Sequence, residues 1–188
     1  MPITAKEPIS LKTVEGPDKR LVEVHRAIRE SDVDQLVAFL RDADPKCRNY
    51  AVIGLRKAGD PRAVQPLLPL LAAGDVNVRT SAVRALGELG DASVLPRLRD
   101  VATDDPHEIP RSWAVAAVGL LGGAGEFDFL VGRLTDPHVK VRHAAAYALG
   151  LLHEPAAVEA LDQARRRERR RDGKIYRVAI ERSGGRRQ

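Results

Sequence analysis

A short pattern recurs along the chain every 31 or 32 residues, and this repeat constrains the fold more than any other feature. Its two best copies, at 75–90 and 139–152, share a Val-Arg pair and an Ala-Leu-Gly triplet that begins six residues after the arginine. Weaker copies lie at 46–55 and 109–119, and a degenerate fifth copy lies at 174–179. A repeat of this length is typical of solenoids, in which each unit packs only against its neighbours.

A second recurring segment lies between these copies, at 31–40, 60–71, 91–98, 127–134 and 158–161. Its apolar residues recur at steps of three and four, which indicates an amphipathic helix. An Asp or Ser often precedes the segment, in the position of a helix cap. Each unit is therefore a pair of helices that cannot bury its apolar face alone. The sequence predicts an all-α fold, a right-handed α-α superhelix of about five helical pairs.

Charge and composition divide the chain into three parts. We predict a flexible N-terminal segment at 1–16, a solenoid at 17–164, and a basic helical cap and tail at 165–188. The last part carries 11 Lys or Arg and 3 Asp or Glu, a net charge of +8, whereas the rest is mildly acidic. We find no apolar run that approaches the roughly 20 residues needed to span a bilayer, and no secretory signal at the start. We therefore expect no membrane contact and a cytoplasmic location.

The pattern resembles the HEAT repeat, in the short variety named after the phycobilisome lyases, over residues 31–164. The likeness rests on an aspartate six residues before the repeat arginine, which occurs at Asp42, Asp105 and Asp136. The second unit departs from this rule, because Ala73 stands there instead. The resemblance implies that the aspartates and arginines form a ladder between units, and we interpret them as structural.

Some HEAT-repeat proteins are enzymes, and deoxyhypusine hydroxylase holds iron with His-Glu pairs that directly follow the repeat arginine. The equivalent pairs of this chain are Asn49-Tyr50, Thr80-Ser81, Ser112-Trp113 and His143-Ala144. A non-haem iron site needs imidazole and carboxylate groups together, and only His143 is retained, without an acidic neighbour. We therefore predict no metal and no cofactor, and we interpret His143 as a polar residue of the inner surface.

Two further enzyme families give no better match. HEAT-like DNA glycosylases use aromatic and acidic residues in a basic groove, but the segment 114–121 that follows Trp113 contains no acid or base. The phycobilisome lyases share only the repeat. The single cysteine, Cys47, lies at an apolar position of the repeat, where a buried small hydrophobe is expected. We therefore expect no catalytic residue and a non-enzymatic protein.

Positions +2, +5 and +9, counted from each repeat arginine, form one stripe of the inner helix, while +3, +4, +7 and +10 form the core. Three of the chain's four Tyr and Trp residues lie on this stripe. Aromatic and aliphatic groups in a concave groove are typical of protein contacts; the alternative is that neighbouring inner helices bury Trp113 and Tyr147. The predicted residues for binding a protein or peptide are Tyr50, Ile53, Arg84, Trp113, Leu120, His143, Tyr147 and Leu151.

A run of arginines marks the start of the basic tail. Arginine clusters bind phosphates and supply salt-dependent affinity for nucleic acids, although a charged end also keeps the last unit of a solenoid soluble. The predicted contacts to an anionic partner are Arg165, Arg166, Arg167, Arg169, Arg170 and Arg171. The function that we predict is a scaffold or adaptor that holds a protein in its groove, with nucleic-acid or ribonucleoprotein binding through the arginines as the alternative.

Overall fold

The computed structural model describes residues 17–168 and 173–184, and every regular element within these ranges is helical. Short 3₁₀ segments flank α4 and precede α6 and α8. The helices are α1 Pro17–Glu30, α2 Val33–Phe39, α3 Pro45–Ala58, α4 Val64–Leu67, α5 Val76–Leu89, α6 Leu95–Asp104, α7 Glu108–Gly122, α8 Phe127–Arg133, α9 Val139–Leu152, α10 Ala157–Arg167 and α11 Lys174–Arg182.

The helices form two layers. Each odd-numbered helix packs against the next odd-numbered one, which gives a continuous inner layer from α1 to α11. The even-numbered helices form the outer layer, and each packs against the inner helix that follows it. The predicted all-α solenoid of five helical pairs is confirmed. The sequence analysis did not identify α1, an additional inner helix at the N-terminal end whose Arg20 lies 3.7 Å from the Asp42 carboxylate.

Capping residues set the ends of the inner helices. The Asp44 carboxylate accepts a hydrogen bond from the backbone N–H of Lys46 before α3, and Asp75 has the same role before α5. Gly59 and Gly90 end these helices with φ of 66° and 79°, in the left-handed region that glycine adopts most easily. The turns between units therefore follow from the local sequence.

The core lies between the two layers, at the positions that the repeat predicts. In α5, Ala82, Val83 and Leu86 occupy +3, +4 and +7 and are fully buried. The +10 residues, such as Leu89, are only half-buried and pack at the edge of the core. Cys47 is buried as expected, and this burial raises the pKa of its thiol above the ordinary value.

Small residues bring neighbouring inner helices close together. Gly87 packs on Ala117 of the next inner helix, and Gly119 packs in the same way on Ala148. A Cβ added at Gly87 would lie 2.8 Å from the Ala117 Cβ, nearer than two carbon atoms can pack. Glycine is required here for close approach of the helices, not for its backbone conformation.

The repeat arginines and the acids of the following units form the expected ladder. Arg79 donates to the backbone carbonyl oxygen of Ala73 in its own unit at 2.8 Å. Its other edge donates from Nε and Nη2 to the Asp105 carboxylate of the next unit, at 2.7 and 3.1 Å. Arg111 binds Asp136 in the same direction at 3.3 Å. The ladder therefore joins successive units at the loop edge of the inner layer.

The structure describes the predicted boundary at the C-terminal end but not the one at the N-terminal end. The division between 164 and 165 falls inside α10, and α11 packs against both α9 and α10, so the last helices continue the solenoid. The predicted flexible segment 1–16 lies outside the described residues.

The expectation of no long apolar run was wrong, since Glu108–Arg133 is long and apolar enough, by length and composition alone, to cross a membrane. Its first helix, α7, is a core helix of the solenoid.

Candidate protein-binding face

The inner helices present large apolar side chains to solvent along the predicted stripe. Trp113 is 42% exposed, Tyr147 41% and Leu120 62%, so the alternative in which neighbouring helices bury the two aromatic rings is wrong. Tyr50 is also exposed, at 36%. Ile53 and Leu151 are half-buried and contribute less surface. The role of these residues in binding stays a prediction.

Each aromatic ring of the stripe is held by a side chain from a neighbouring inner helix. The guanidinium of Arg84, on α5, lies 4.4 Å from the ring centre of Trp113 on α7. Arg182 of α11 lies over the Tyr147 ring at 5.8 Å. A cation over a ring face is attracted by the negative π surface. These contacts favour one orientation of each ring before any partner binds.

The charges around these rings are positive. Among the described residues, neither Arg84 nor Arg182 forms an ion pair, and the Nε atom of Arg84 is buried without a hydrogen-bond partner. Glu88, the acidic residue of the stripe in the second unit, is paired with Arg56 at 2.6 Å. The surface around Trp113 and Tyr147 therefore combines apolar area with cations whose charge the described part of the fold leaves uncompensated.

His143 lies beside this face and contacts a buried polar cluster. Its ring meets Tyr176 edge-on at 5.8 Å, and its Nε2 atom is buried without a hydrogen-bond partner. The Tyr176 hydroxyl donates to Glu168 at 3.1 Å, and Arg142 donates to the same carboxylate. The Arg142 hydrogen bond holds the pKa of Glu168 below its usual range, while burial raises the pKa of Tyr176. Within residues 17–168 and 173–184, no three His, Cys, Asp or Glu side chains are grouped as metal ligands.

The arginine run is partly compensated within α10. Arg165 and Arg166 both bind the Asp162 carboxylate, at 2.6 and 2.8 Å. Arg167 is exposed at the end of the helix, and Arg169, Arg170 and Arg171 lie outside the described residues. Their contact with an anionic partner stays a prediction, and two of the six charges already have a partner.

A groove on the outer side of the second and third units was missed by the sequence analysis. It has a volume of about 850 Å³. Its apolar lining includes Leu68, Pro69 and Val101, and Ala73 and Gly74 also line it. The signal was present in the sequence, because the outer helix of the second unit contains three prolines and is reduced to a single α-helical turn with 3₁₀ flanks.

The layered helix pairs, the ladder and the exposed inner stripe define an α-solenoid with a potential binding face on its concave side. Comparison with known proteins gives the family. Models described as HEAT repeats match residues 33–119 and 127–154, together more than half of the chain. The chain belongs to the HEAT-repeat family, as the sequence analysis predicted.

Two relatives and one solved structure place the chain within this family. It is 30% identical to the phycocyanobilin lyase subunit alpha of Picosynechococcus sp., over 68% of this chain and 54% of the relative. It is 36% identical to the deoxyhypusine hydroxylase of Arabidopsis thaliana, over 42% of this chain and 26% of the relative. The complex of CpcE and CpcF of phycocyanin lyase from Nostoc sp. PCC7120 has a similar fold, with 19% identity, 80% of this chain and 98% of that chain covered, and a TM-score of 0.67.

These relatives contradict the prediction of a non-enzymatic protein. One is named as a lyase subunit and the other as a hydroxylase, so the chain is similar to enzymes and enzyme subunits. The sequence analysis searched for catalytic residues inside one chain and gave too little weight to the resemblance of its repeat to the lyases. The chain spans about half the length of the lyase subunit.

Proposed function

We propose that this chain is one subunit of an enzyme assembly of the lyase type, and that it binds a protein of that assembly on its inner face. The observation that carries the proposal is the exposure of Trp113, Leu120 and Tyr147 on two adjacent inner helices, α7 and α9. The likeness of the chain to a protein named as a lyase subunit supports the lyase class.

The physical argument starts from the cost of leaving this surface in water. A Trp or Tyr side chain buries 150–250 Å² when it is covered, and each 100 Å² of apolar area removed from water contributes about 2.5 kcal/mol. Trp, Tyr and Arg are the residues that most often dominate binding energy in protein interfaces. The inner face carries all three, and the stacked arginines restrict the ring orientations, which lowers the entropy lost on binding.

The experiment uses the full chain with an affinity tag, expressed in its native host. Proteins that co-purify with the wild type at a fixed ratio are compared with those retained by the double variant Trp113→Ala, Tyr147→Ala. Val139→Ala is the matched control, because Val139 is also an exposed apolar residue but lies off the stripe, at the start of α9. Circular dichroism confirms that all three chains are folded.

In nuclease-treated extract at raised salt, we expect the amount of co-purified partner to fall at least tenfold in the double variant and to be unchanged in the control. An unchanged partner in the double variant would refute binding on the inner face. A partner that is lost after nuclease treatment would favour the arginine run instead, since phosphate binding weakens steeply with salt.

The lyase class is tested on the purified assembly. The chain and its partner are incubated with phycocyanobilin, and pigment that remains covalently attached to the partner is measured after denaturing electrophoresis. We expect attachment or release that depends on the chain. An assembly without any effect on the pigment would contradict the lyase class while leaving the binding face intact.

A further inference from the structure

Three of the four repeat arginines, Arg79, Arg111 and Arg142, use two separate edges of the guanidinium. The Nη1 atom donates to a backbone carbonyl oxygen six residues earlier, as Arg142 does to Asp136 at 2.8 Å. The Nε and Nη2 edge donates to a carboxylate of the next unit. The pairs on this second edge are Arg79 with Asp105, Arg111 with Asp136 and Arg142 with Glu168.

Arg48 makes the contact with backbone carbonyl oxygens but not the contact with a carboxylate of the next unit. Its Nη1 donates to the carbonyl oxygens of Asp42 and Ala43 at 2.7 and 2.9 Å, which places the guanidinium as in the other units. No described carboxylate lies within ion-pair distance of it. The next unit has Ala73 at the position that Asp105 and Asp136 occupy in theirs.

The backbone at Ala73 follows the same path as in the regular units. Its carbonyl oxygen accepts from Arg79 Nη1 at 2.8 Å, just as the carbonyl oxygen of Asp105 accepts from Arg111 at 2.8 Å. At this position the second unit differs from the third and fourth by the missing carboxylate. In the third and fourth units this position carries the carboxylate that binds the preceding repeat arginine, so we infer that a side chain at 73 faces the free edge of Arg48.

The acidic side chains of the adjoining loops are engaged elsewhere. Asp42 lies beside Arg20 at 3.7 Å. Asp44 and Asp75 cap α3 and α5, each accepting a backbone N–H at 2.8 Å. None of them is in place to bind the free edge of the Arg48 guanidinium.

We propose that Arg48 is a binding site for an external carboxylate, supplied by an Asp or Glu side chain of a protein bound to this chain. The fork of Nε and Nη2 takes the two carboxylate oxygens in the geometry that Arg79 shows with Asp105. Only the source of the carboxylate rests on the proposed function; the site itself does not.

The key variant is Ala73→Asp, which supplies the missing carboxylate from within the fold. Acetate is the probe for the site in the otherwise unchanged full chain, followed through the Arg48 Nε–H resonance by nuclear magnetic resonance. We expect a saturable shift in the wild type, at least tenfold weaker in Ala73→Asp. The resonance is assigned to Arg48 by its loss in Arg48→Lys, whose side chain lacks the planar guanidinium fork. Equal acetate responses in the wild type and Ala73→Asp overturn the site.

Thermal unfolding checks that the new side chain reaches its target. We expect Ala73→Asp to raise the midpoint by a few degrees in the wild type and by less in an Arg48→Ala background, where the new carboxylate keeps only the backbone N–H two residues on, as Asp105 accepts from His107. The absence of any difference between the two backgrounds also overturns the proposal, because position 73 would then not face Arg48.

The source of the carboxylate is tested with the co-purifying partner. We expect Ala73→Asp to reduce its recovery several-fold at low salt, and Ala73→Ser, which is small and neutral, to leave it unchanged. A partner that is lost in Ala73→Asp but kept in the double variant Trp113→Ala, Tyr147→Ala supports the Arg48 site and refutes binding on the inner face. A partner unaffected by Ala73→Asp overturns the protein source of the carboxylate.

Discussion

Replacing Gly87 by alanine tests whether the close approach of the inner helices holds the solenoid together. Gly87 lies in α5, and the added methyl carbon would stand 2.8 Å from the Ala117 Cβ on α7. Carbon atoms pack best at about 3.5–4.0 Å. The two helices must therefore separate by about 1 Å, or bend, at a position where Ala117 is itself buried.

Two terms of opposite sign set the magnitude. Overpacking of a well-packed core costs about 1–3 kcal/mol, while alanine in place of glycine within a helix gains about 0.5–1 kcal/mol. We expect Gly87→Ala to lower the free energy of unfolding by about 1 kcal/mol, the difference between the central values of the two terms. The same change at Gly132, in α8, meets nothing within 4 Å and carries only the favourable term.

The assay compares thermal unfolding of the wild type, Gly87→Ala and the control Gly132→Ala by circular dichroism. A domain of this size loses about 2–4 °C of midpoint for each kcal/mol. We expect Gly87→Ala to melt below the wild type and Gly132→Ala at or above it, with about 3–8 °C between the two variants. Equal midpoints, or a more stable Gly87→Ala chain, would refute the argument that glycine is required for helix contact.

Two further predictions concern the ladder. Asp105→Ala leaves Arg79, whose side chain is 12% exposed, without its carboxylate partner. We expect the free energy of unfolding, measured in urea, to fall by about 3 kcal/mol. A loss below the error of the measurement would show that the pair is not structural. Arg142 keeps the pKa of Glu168 low in the folded state, so the stabilisation is present above the unfolded pKa and is lost as the pH falls through the folded value. We expect the midpoint of Glu168→Gln to lie below that of the wild type at pH 7 and to converge with it as the pH falls below the usual range of a glutamate, whereas a difference independent of pH would contradict the ion pair.

The fold could be predicted because its determinants are local and repeated. The apolar spacing fixes which face of each helix is buried, and Val83 and Leu86 lie in the core as the register requires. The exposure of Trp113 could not be decided in advance, because it depends on the angle between α5 and α7. The signal for Arg84 was available, since position +5 of one inner helix faces position +2 of the next.

Other features depend on departures from the repeat. The ladder partner of Arg142 is Glu168, not an aspartate, because the last unit is longer and places its acid at the end of α10. The outer groove arises where prolines break the outer helix of the second unit. The prediction of a non-enzymatic protein was wrong because it rested on the lack of a complete set of catalytic residues in one chain, and a fold does not specify its function.

Arg84 and Arg48, two of the arginines that lack a described carboxylate partner, would contribute to a complex in different ways. Arg84 lies on the Trp113 ring, where covering the aromatic surface gives affinity that salt scarcely changes. Arg48 presents a fork to an anion near the surface, where salt screens the attraction within about 10 Å at 0.1 M. A partner that used both sites would lose only part of its affinity as the salt concentration rose. Ala73→Asp would remove that salt-dependent part, while Trp113→Ala would lower the affinity that remains at high salt, so the two contributions are separable in one protein.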